Sequence, residues 1–316
     1  MSSHESRWWL ELVACPYCGT DEVDLCSTSR GISGACRCGR EYRLKDRTLF
    51  WDGGDSAGER SNGLSARTLW KKLWNSLNPL NNPLLPMRHF SRWRVEQYYR
   101  RTLSDIALAR TWAEHFLKDL SLPDGATVLE FGCGRGRNIG FLKQLGYKVV
   151  GQDVISNKWW DRLPDVGFQV LDTMARLPWK DASFDLVVEV EVIHYLPWEA
   201  LQKHVEEIRR IIKPGGYWVL LEANNSGDGA EHIRRQIGQM HPLGEVRSLM
   251  ESEGFMEIDI DYISYYASHF PLFINFLRQQ CSLRRFDMYD WNSWLASRVP
   301  KERRGLWLMR LQRTSG

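Results

Sequence analysis

Long apolar runs are missing from this 316-residue chain. A helix that crosses a bilayer needs about 20 consecutive apolar residues, and no stretch approaches that, so a helical membrane protein is excluded. The first residues, MSSHESRWWLELVACPYC, also lack the apolar core of a secretory signal, and the expectation is a cytoplasmic protein. Net charge is small, +3 from 42 Lys and Arg against 39 Asp and Glu, too little to imply nucleic-acid binding by itself. There is no internal repeat. The one biased tract, DGGDSAGERSNGLSA at 52–66, is a flexible linker by composition. Cysteine is sparse: of seven, four fall in a pattern suited to a metal, so the count does not argue for an oxidising compartment.

What is present reads as a soluble globular protein, 43% hydrophobic and 26% charged. The length leaves room for one large α/β domain and a small appendage. Fifteen tryptophans are unusual and need a location. From Thr127 onward, apolar runs of strand length alternate with helical patterns, the sign of a parallel sheet built from βαβ units. Strands are expected at 127–131, 147–152, 168–171, 184–190, 217–222, 255–262 and 306–312. Helices are expected at about 136–145, at 198–212, where Lys213-Pro214-Gly215-Gly216 is a stop signal, and at 243–253, which ends at Gly254. Residues 67–120 read as helices separated by NPLNNPLLP.

The most informative stretch is TVLEFGCGRGRN at 127–138. A buried strand that breaks into a glycine turn and opens a helix is a cofactor cradle. Gly132, Gly134 and Gly136 let the backbone approach a ligand more closely than side chains would permit. A dinucleotide fingerprint wants a small residue at the end of G-x-G-x-x-G, and Arg137 stands there. Glu130 adds negative charge, which suits an amine or a cation better than a pyrophosphate. YKVVGQDV at 147–154 is an apolar strand ending in Asp153; a carboxylate there can accept both ribose hydroxyls of a nucleoside, or it is an exposed turn residue.

The 127–138 stretch resembles motif I of the class I S-adenosylmethionine-dependent methyltransferases, E/D-x-G-x-G-x-G. FQVLDTMARLPWKDASFDLVV at 168–188 is similar to the family's adenine-holding stretch, which implies Asp172 as acceptor of the exocyclic amine and Thr173 and Met174 as lining. The spacing to Leu-Pro is one residue longer than in the commonest version. FDLVVEVEVIHYLP at 184–197 resembles the strand and turn often written EVLEHLP, with His194 where Glu is common and Tyr195 where His is common. That places Glu189 through Tyr195 at the methyl donor and substrate. His194 is either a general base, since imidazole titrates near neutrality, or a histidine packed in its loop. EIRRIIKPGGYWVLLEA at 207–223 completes a resemblance that covers roughly 105–263. It implies an α/β fold, a Rossmann-like seven-stranded methyltransferase sheet, with S-adenosylmethionine held by Glu130, Gly132, Gly134, Gly136, Asp153, Asp172, Thr173, Met174 and Glu189.

Ahead of this domain, Cys15-Pro-Tyr-Cys18 and Cys36-Arg-Cys38 offer two pairs of thiolates, enough to close a tetrahedron around one zinc ion. LVACPYCG…CRCGREYRLKDRTLFW resembles the zinc ribbon of methyltransferase-activator proteins, although the second knuckle is the tighter C-x-C and Cys26 is an alternative ligand. Four thiolates leave no open position, so the zinc is expected to be structural. The expected organisation is a zinc-ribbon-like domain at 1–52, a linker at 53–66, a helical lid segment at 67–104, and a methyltransferase domain at 105–316 with an insertion at 264–304.

Residues 67–101 and 264–304 interleave aromatic and basic side chains, which suits phosphate-bearing or nucleobase partners and peripheral membrane contact, or a solvated cover over the cofactor cleft. Arg92, Tyr98, Tyr99 and Arg100 are candidates for a lid. The reading is methyl transfer to an oxygen or nitrogen of a small molecule: a sugar, a glycolipid precursor or a secondary metabolite. The alternative is a ribosomal or transfer RNA base methyltransferase, disfavoured by the near charge balance of residues 1–52 and the lack of an N-P-P-Y-like motif. A third reading, a non-catalytic scaffold, conflicts with the intact glycines and both nucleoside-binding carboxylates.

Overall fold

The computed structural model describes residues 5–21, 23, 26–28, 31–45, 47–51, 114–163, 165–171, 176–227, 240–263 and 298–315. The linker, the lid segment at 67–104 and most of the 264–304 insertion lie outside these residues. The chain forms two compact units, Met1–Val188 with Arg210–Gly216, and Glu189–Arg209 with Tyr217–Gly316.

The first unit carries a hairpin series near the N-terminus: β1 (Cys26–Thr28), β2 (Gly31–Ala35), β3 (Glu41–Lys45) and β4 (Thr48–Trp51). These pair antiparallel in sequence order. After them come β5 (Thr127–Phe131), helix α1 (Arg137–Gln144), β6 (Lys148–Asp153), β7 (Gly167–Val170) and β8 (Phe184–Val190). Strand order in this unit is β1-β2-β3-β4-β7-β6-β5-β8. Pairing of β5 with β6 and of β6 with β7 is parallel, as the βαβ alternation predicts. All of β5 except Thr127 is buried, as is β6 between its ends, which explains why these strands read as near-continuous apolar runs rather than alternating ones.

The sequence gives no hint of the join between the N-terminal strands and the sheet. β4 pairs parallel with β7, Thr48 opposite Phe168 and Phe50 opposite Val170, and the Phe168 N–H donates to the Arg47 carbonyl at 2.9 Å. Tryptophans seal this seam. Trp51 Nε1 donates to Gln169 Oε1 at 2.9 Å, and Trp179 Nε1 to Gln152 Oε1 at 2.5 Å. A 3-10 helix at Glu5–Leu12 lays the Trp9 ring against Gly167, where a Cβ would fall 2.1 Å from the ring. Trp9, Trp51, Trp179, Trp218 and Trp307 are among the largest fully buried side chains; here tryptophan serves as core, with its N–H satisfied by buried glutamines at two positions.

The second unit holds the end of β8, a 3-10 turn at Ile193–Tyr195, most of helix α2 (Trp198–Ile211) and of β9 (Ile212–Ala223), helix α3 (Leu243–Ser252), β10 (Phe255–Ile263) and β11 (Leu306–Arg313). The strand order β9-β11-β10 is antiparallel throughout. The strands from β5 to β11 number seven, the count the resemblance implies, and the N-terminal strands add four. The strand after α2 begins at Ile212, five residues earlier than expected, and runs through Gly215 at φ +77°. No helix among the described residues is long and apolar enough to cross a membrane.

Candidate functional site: glycine loop, cysteine cluster and a His–Glu pair

The glycine turn leaves β5 at Phe131 and enters α1 at Arg137. Gly132, Gly134 and Gly136 all have positive φ, +67°, +52° and +76°, a region that side chains rarely tolerate. At Gly134 nothing lies within 4 Å of where a Cβ would be, so the backbone there faces open space, the cradle a ligand needs. Gly136 differs: a Cβ would meet Leu163 Cδ1 at 2.5 Å, and its glycine serves packing. Cys133 is buried inside the turn, and burial pushes its thiol well above the ordinary range. Beneath the turn lies Trp160, whose Nε1 donates to the Gly134 carbonyl at 3.0 Å and whose ring stacks on Phe168, centroids 4.3 Å apart.

Glu130 and Asp153 flank this turn. Asp153 Oδ2 accepts the Gly134 N–H at 2.7 Å, which puts the strand-end carboxylate beside the open face of the loop. Glu130 is placed otherwise than expected. Its Oε1 accepts the Asn138 amide at 2.8 Å and its Oε2 the Ile139 N–H at 3.0 Å, and only 3% of the residue is exposed. It satisfies the first turn of α1, whose N-cap, Gly136, has no side chain to do so. Burial pushes its carboxyl up to about 8, opposed by the Asn138 amide, the Arg137 charge and the Ile139 N–H. In this position Glu130 shapes the loop by holding the start of α1. Glu189, also expected at the cofactor, is fully buried and bonds His204 Nε2 of α2 through Oε1 at 2.8 Å. A carboxylate enclosed between a strand and its helix has no surface to offer a ligand. Asp172, Thr173 and Met174 lie outside the described residues.

The cysteines converge as the spacing implies. Sγ atoms of Cys15, Cys18, Cys36 and Cys38 lie within 4.8 Å of one another, with Cys15 to Cys38 at 3.7 Å and Cys18 to Cys36 at 3.4 Å. Tetrahedral zinc–thiolate bonds of about 2.3 Å place sulfurs roughly 3.8 Å apart, so the donor set fits such an ion. Each knuckle closes on a glycine of positive φ, Gly19 and Gly39, and the Gly39 N–H returns to the Cys36 carbonyl at 2.8 Å. The side chain of Cys26, like all of Cys281, lies outside the described residues.

In the second unit, β8 ends at Val190; Glu191 follows as a non-glycine residue at φ +57°, and the chain turns into Ile193–Tyr195. His194, 5% exposed, directs Nδ1 to Glu222 Oε2 at 2.5 Å. Glu222 Oε1 accepts the Val192 and Ile193 N–H groups at 2.6 and 2.8 Å. His194 Nε2 is buried and has no hydrogen-bond partner among the described residues. Together with Met240, His241 and Trp307 this pair lines a small cleft. The sequence singled out His194 but missed Glu222. The signal was a lone carboxylate in the apolar run YWVLLEA, at the carboxyl end of a strand.

Residues 129–220 match a family model described as a methyltransferase domain. Over 116 residues the chain is 39% identical to the 2-methyl-6-phytyl-1,4-hydroquinone methyltransferase of Synechocystis sp., covering 34% of this chain and 35% of that protein. Over 140 residues it is 34% identical to the tRNA (carboxymethyluridine(34)-5-O)-methyltransferase of Arabidopsis thaliana, covering 40% of this chain and 34% of that one. The chain thus spans about a third of the length of these two relatives. Among solved structures it is similar to phosphoethanolamine N-methyltransferase 2 of Haemonchus contortus in complex with S-adenosyl-L-methionine, with a TM-score of 0.49 and 16% identity over 66% of this chain and 52% of that one. The matched segment begins in β5 and takes in the glycine turn and α1, so residues 129–220 are similar to a methyltransferase domain.

Proposed function

We propose that this protein transfers the methyl group of S-adenosylmethionine to an oxygen or nitrogen of a small-molecule acceptor, such as a sugar, a glycolipid precursor or a secondary metabolite. The bound cofactor supplies a methyl already activated by its sulfonium. Gly132 and Gly134 hold its amino-acid end, Asp153 accepts ribose hydroxyls, and Glu130 keeps the loop in shape by fixing the start of α1. The observation that supports the acceptor side is His194: a buried imidazole with Nδ1 engaged by Glu222, Nε2 without a hydrogen bond among the described residues, and a place in the lining of a small cleft has the form of a general base for a hydroxyl or amine. The four cysteines hold a structural zinc, since their closed shell leaves no coordination position for a reactant.

The test is methyl transfer from isotope-labelled S-adenosylmethionine into a cell extract divided into small-molecule and RNA fractions. Label in the small-molecule fraction supports the reading. The Arabidopsis relative is named for a tRNA substrate, so the RNA fraction is the comparison that matters. Label there, with binding that weakens steeply as salt rises, would replace the small-molecule acceptor with RNA.

A further inference from the structure

His194 has two ring nitrogens, and only one arrangement of its single proton makes it a base toward the cleft. We infer that Glu222 sets that arrangement: it is the positioning residue that keeps the proton of neutral His194 on Nδ1 and leaves the Nε2 lone pair facing the acceptor. The inference rests on the proposed acceptor role of His194 and adds to it the residue through which the geometry acts.

Glu222 is 1% exposed, and every polar group it meets is accounted for. Oε1 accepts two backbone N–H groups, from Val192 and Ile193, so that oxygen must be an acceptor. Oε2 faces His194 Nδ1 at 2.5 Å. An ionised carboxylate only accepts, so Nδ1 must donate, and in the neutral ring Nε2 is then bare. Nothing among the described residues hydrogen-bonds Nε2, and the residue His194 lines a small cleft with Met240, His241 and Trp307.

In the step itself, the acceptor's lone pair forms the new bond to the methyl carbon while the carbon–sulfur pair returns to the donor's sulfur. The acceptor proton passes to His194 Nε2. The ring becomes imidazolium, and Glu222 balances its charge at hydrogen-bond distance. The proton then leaves to water from Nε2. Other ionisable groups nearby are Glu189, whose carboxyl is raised by burial and in part by the Glu222 charge, His241, which lines the same cleft and bonds the Leu196 carbonyl through Nε2, Glu191, and Tyr195. The Tyr195 ring lies 4.1 Å from that of His194, and its hydroxyl is pushed up to about 12 by burial and by the Glu191 and Glu222 charges, so Tyr195 does not compete as a base near neutrality.

Glu222→Gln makes a sharp test because the variant keeps size and shape. Its carbonyl must stay on the Val192 and Ile193 N–H groups, so its NH2 faces Nδ1. Nδ1 then has to accept, the proton moves to Nε2, and the base is lost without a cavity. The experiment is two-bond proton–nitrogen NMR on the full chain with labelled histidine, with His194 identified among the eight histidines by its absence in His194→Asn. The expected result is the Nδ1–H form in the native chain and the Nε2–H form in Glu222→Gln. Turnover should fall about 10²–10⁴-fold in Glu222→Gln with donor affinity unchanged, and no further in the double variant with His194→Asn. A native ring protonated on Nε2 overturns the inference with no variant needed, and so does a flipped ring with full turnover. Failure of the chain to bind S-adenosylmethionine at all would strike the proposed function instead, leaving the ring assignment as measured.

Discussion

Asp153 Oδ2 accepts the Gly134 N–H at 2.7 Å across nineteen residues of chain, tying the end of β6 to the tip of the glycine turn. Its other oxygen accepts the Ile155 N–H at 3.2 Å. Burial pushes the Asp153 carboxyl up, and the Gly134 and Ile155 N–H groups draw it back toward ionisation. An ionised carboxylate has about four acceptor sites, and the N–H groups of Gly134, Ile155 and Val154 draw on three of them. The residue that orders the loop thus still has capacity to accept from a ligand hydroxyl.

Asp153→Ala removes both uses at once. Donor affinity should fall by about 1–3 kcal/mol, roughly 5- to 150-fold, measured by calorimetry with S-adenosylmethionine or its demethylated product. Asp153→Asn can still accept the Gly134 N–H, and should lose less. Unchanged affinity in the alanine variant would remove Asp153 from the ribose.

Glu130 predicts a dependence of stability on pH. Its carboxyl is pushed up to about 8 in the folded chain, against roughly 4.3 when unfolded. The folded state therefore holds the proton more tightly. The stabilisation this gives is complete below the unfolded value and is lost as pH rises through about 8. Glu130→Gln imitates the protonated form and keeps an acceptor for the Ile139 N–H. Urea unfolding should find the two proteins alike near pH 4 and the glutamine variant ahead above pH 8, by on the order of a few kcal/mol. Parallel pH profiles would show that Glu130 stays ionised throughout.

Chelation should loosen a strand that carries no cysteine. Removing the metal releases the two knuckles, and β4 follows them in the chain. β4 is the parallel neighbour of β7, and the Phe168 N–H donates to Arg47 beside it. Metal analysis should find one zinc per chain. On chelation or in Cys36→Ser, hydrogen exchange at Phe168 should accelerate, and the thermal midpoint should fall. Unchanged protection at Phe168 would show that the β4–β7 seam stands without the metal.

The sequence was most legible where a single physical cause set an element. β5 and β8 fall at the residues expected, because each is an apolar run closed by a glycine turn or a polar turn. The cysteine cluster was legible for the same reason, since four thiolates at short spacing have few other uses. Pairing across the sheet edge was not: nothing in the period of Thr48–Trp51 says that its partner is Gly167–Val170 more than a hundred residues on. The environment of Glu189 was not legible either: it sits fully buried, and its partner, His204, lies on the following helix. Glu222 was missed for a related reason. Its partners become visible only once the turn at Ile193–Tyr195 brings His194 over β9.

Gly167 tests how the N-terminal segment is seated. A Cβ there would lie 2.1 Å from the Trp9 ring, and Trp9 is fully buried, so ring and strand backbone are in direct contact. Gly167→Ala must displace the indole or bend β7, and overpacking of this kind costs about 1–3 kcal/mol. Trp9→Leu is destabilising on its own, because it empties part of the core, but it also vacates the space an alanine needs. The two changes should therefore be non-additive: in the Trp9→Leu background, Gly167→Ala should be close to neutral. Denaturant unfolding of the four proteins measures the coupling. Additive losses would mean that Trp9 does not rest on Gly167, and the seat of the N-terminal helix on β7 would have to be redrawn.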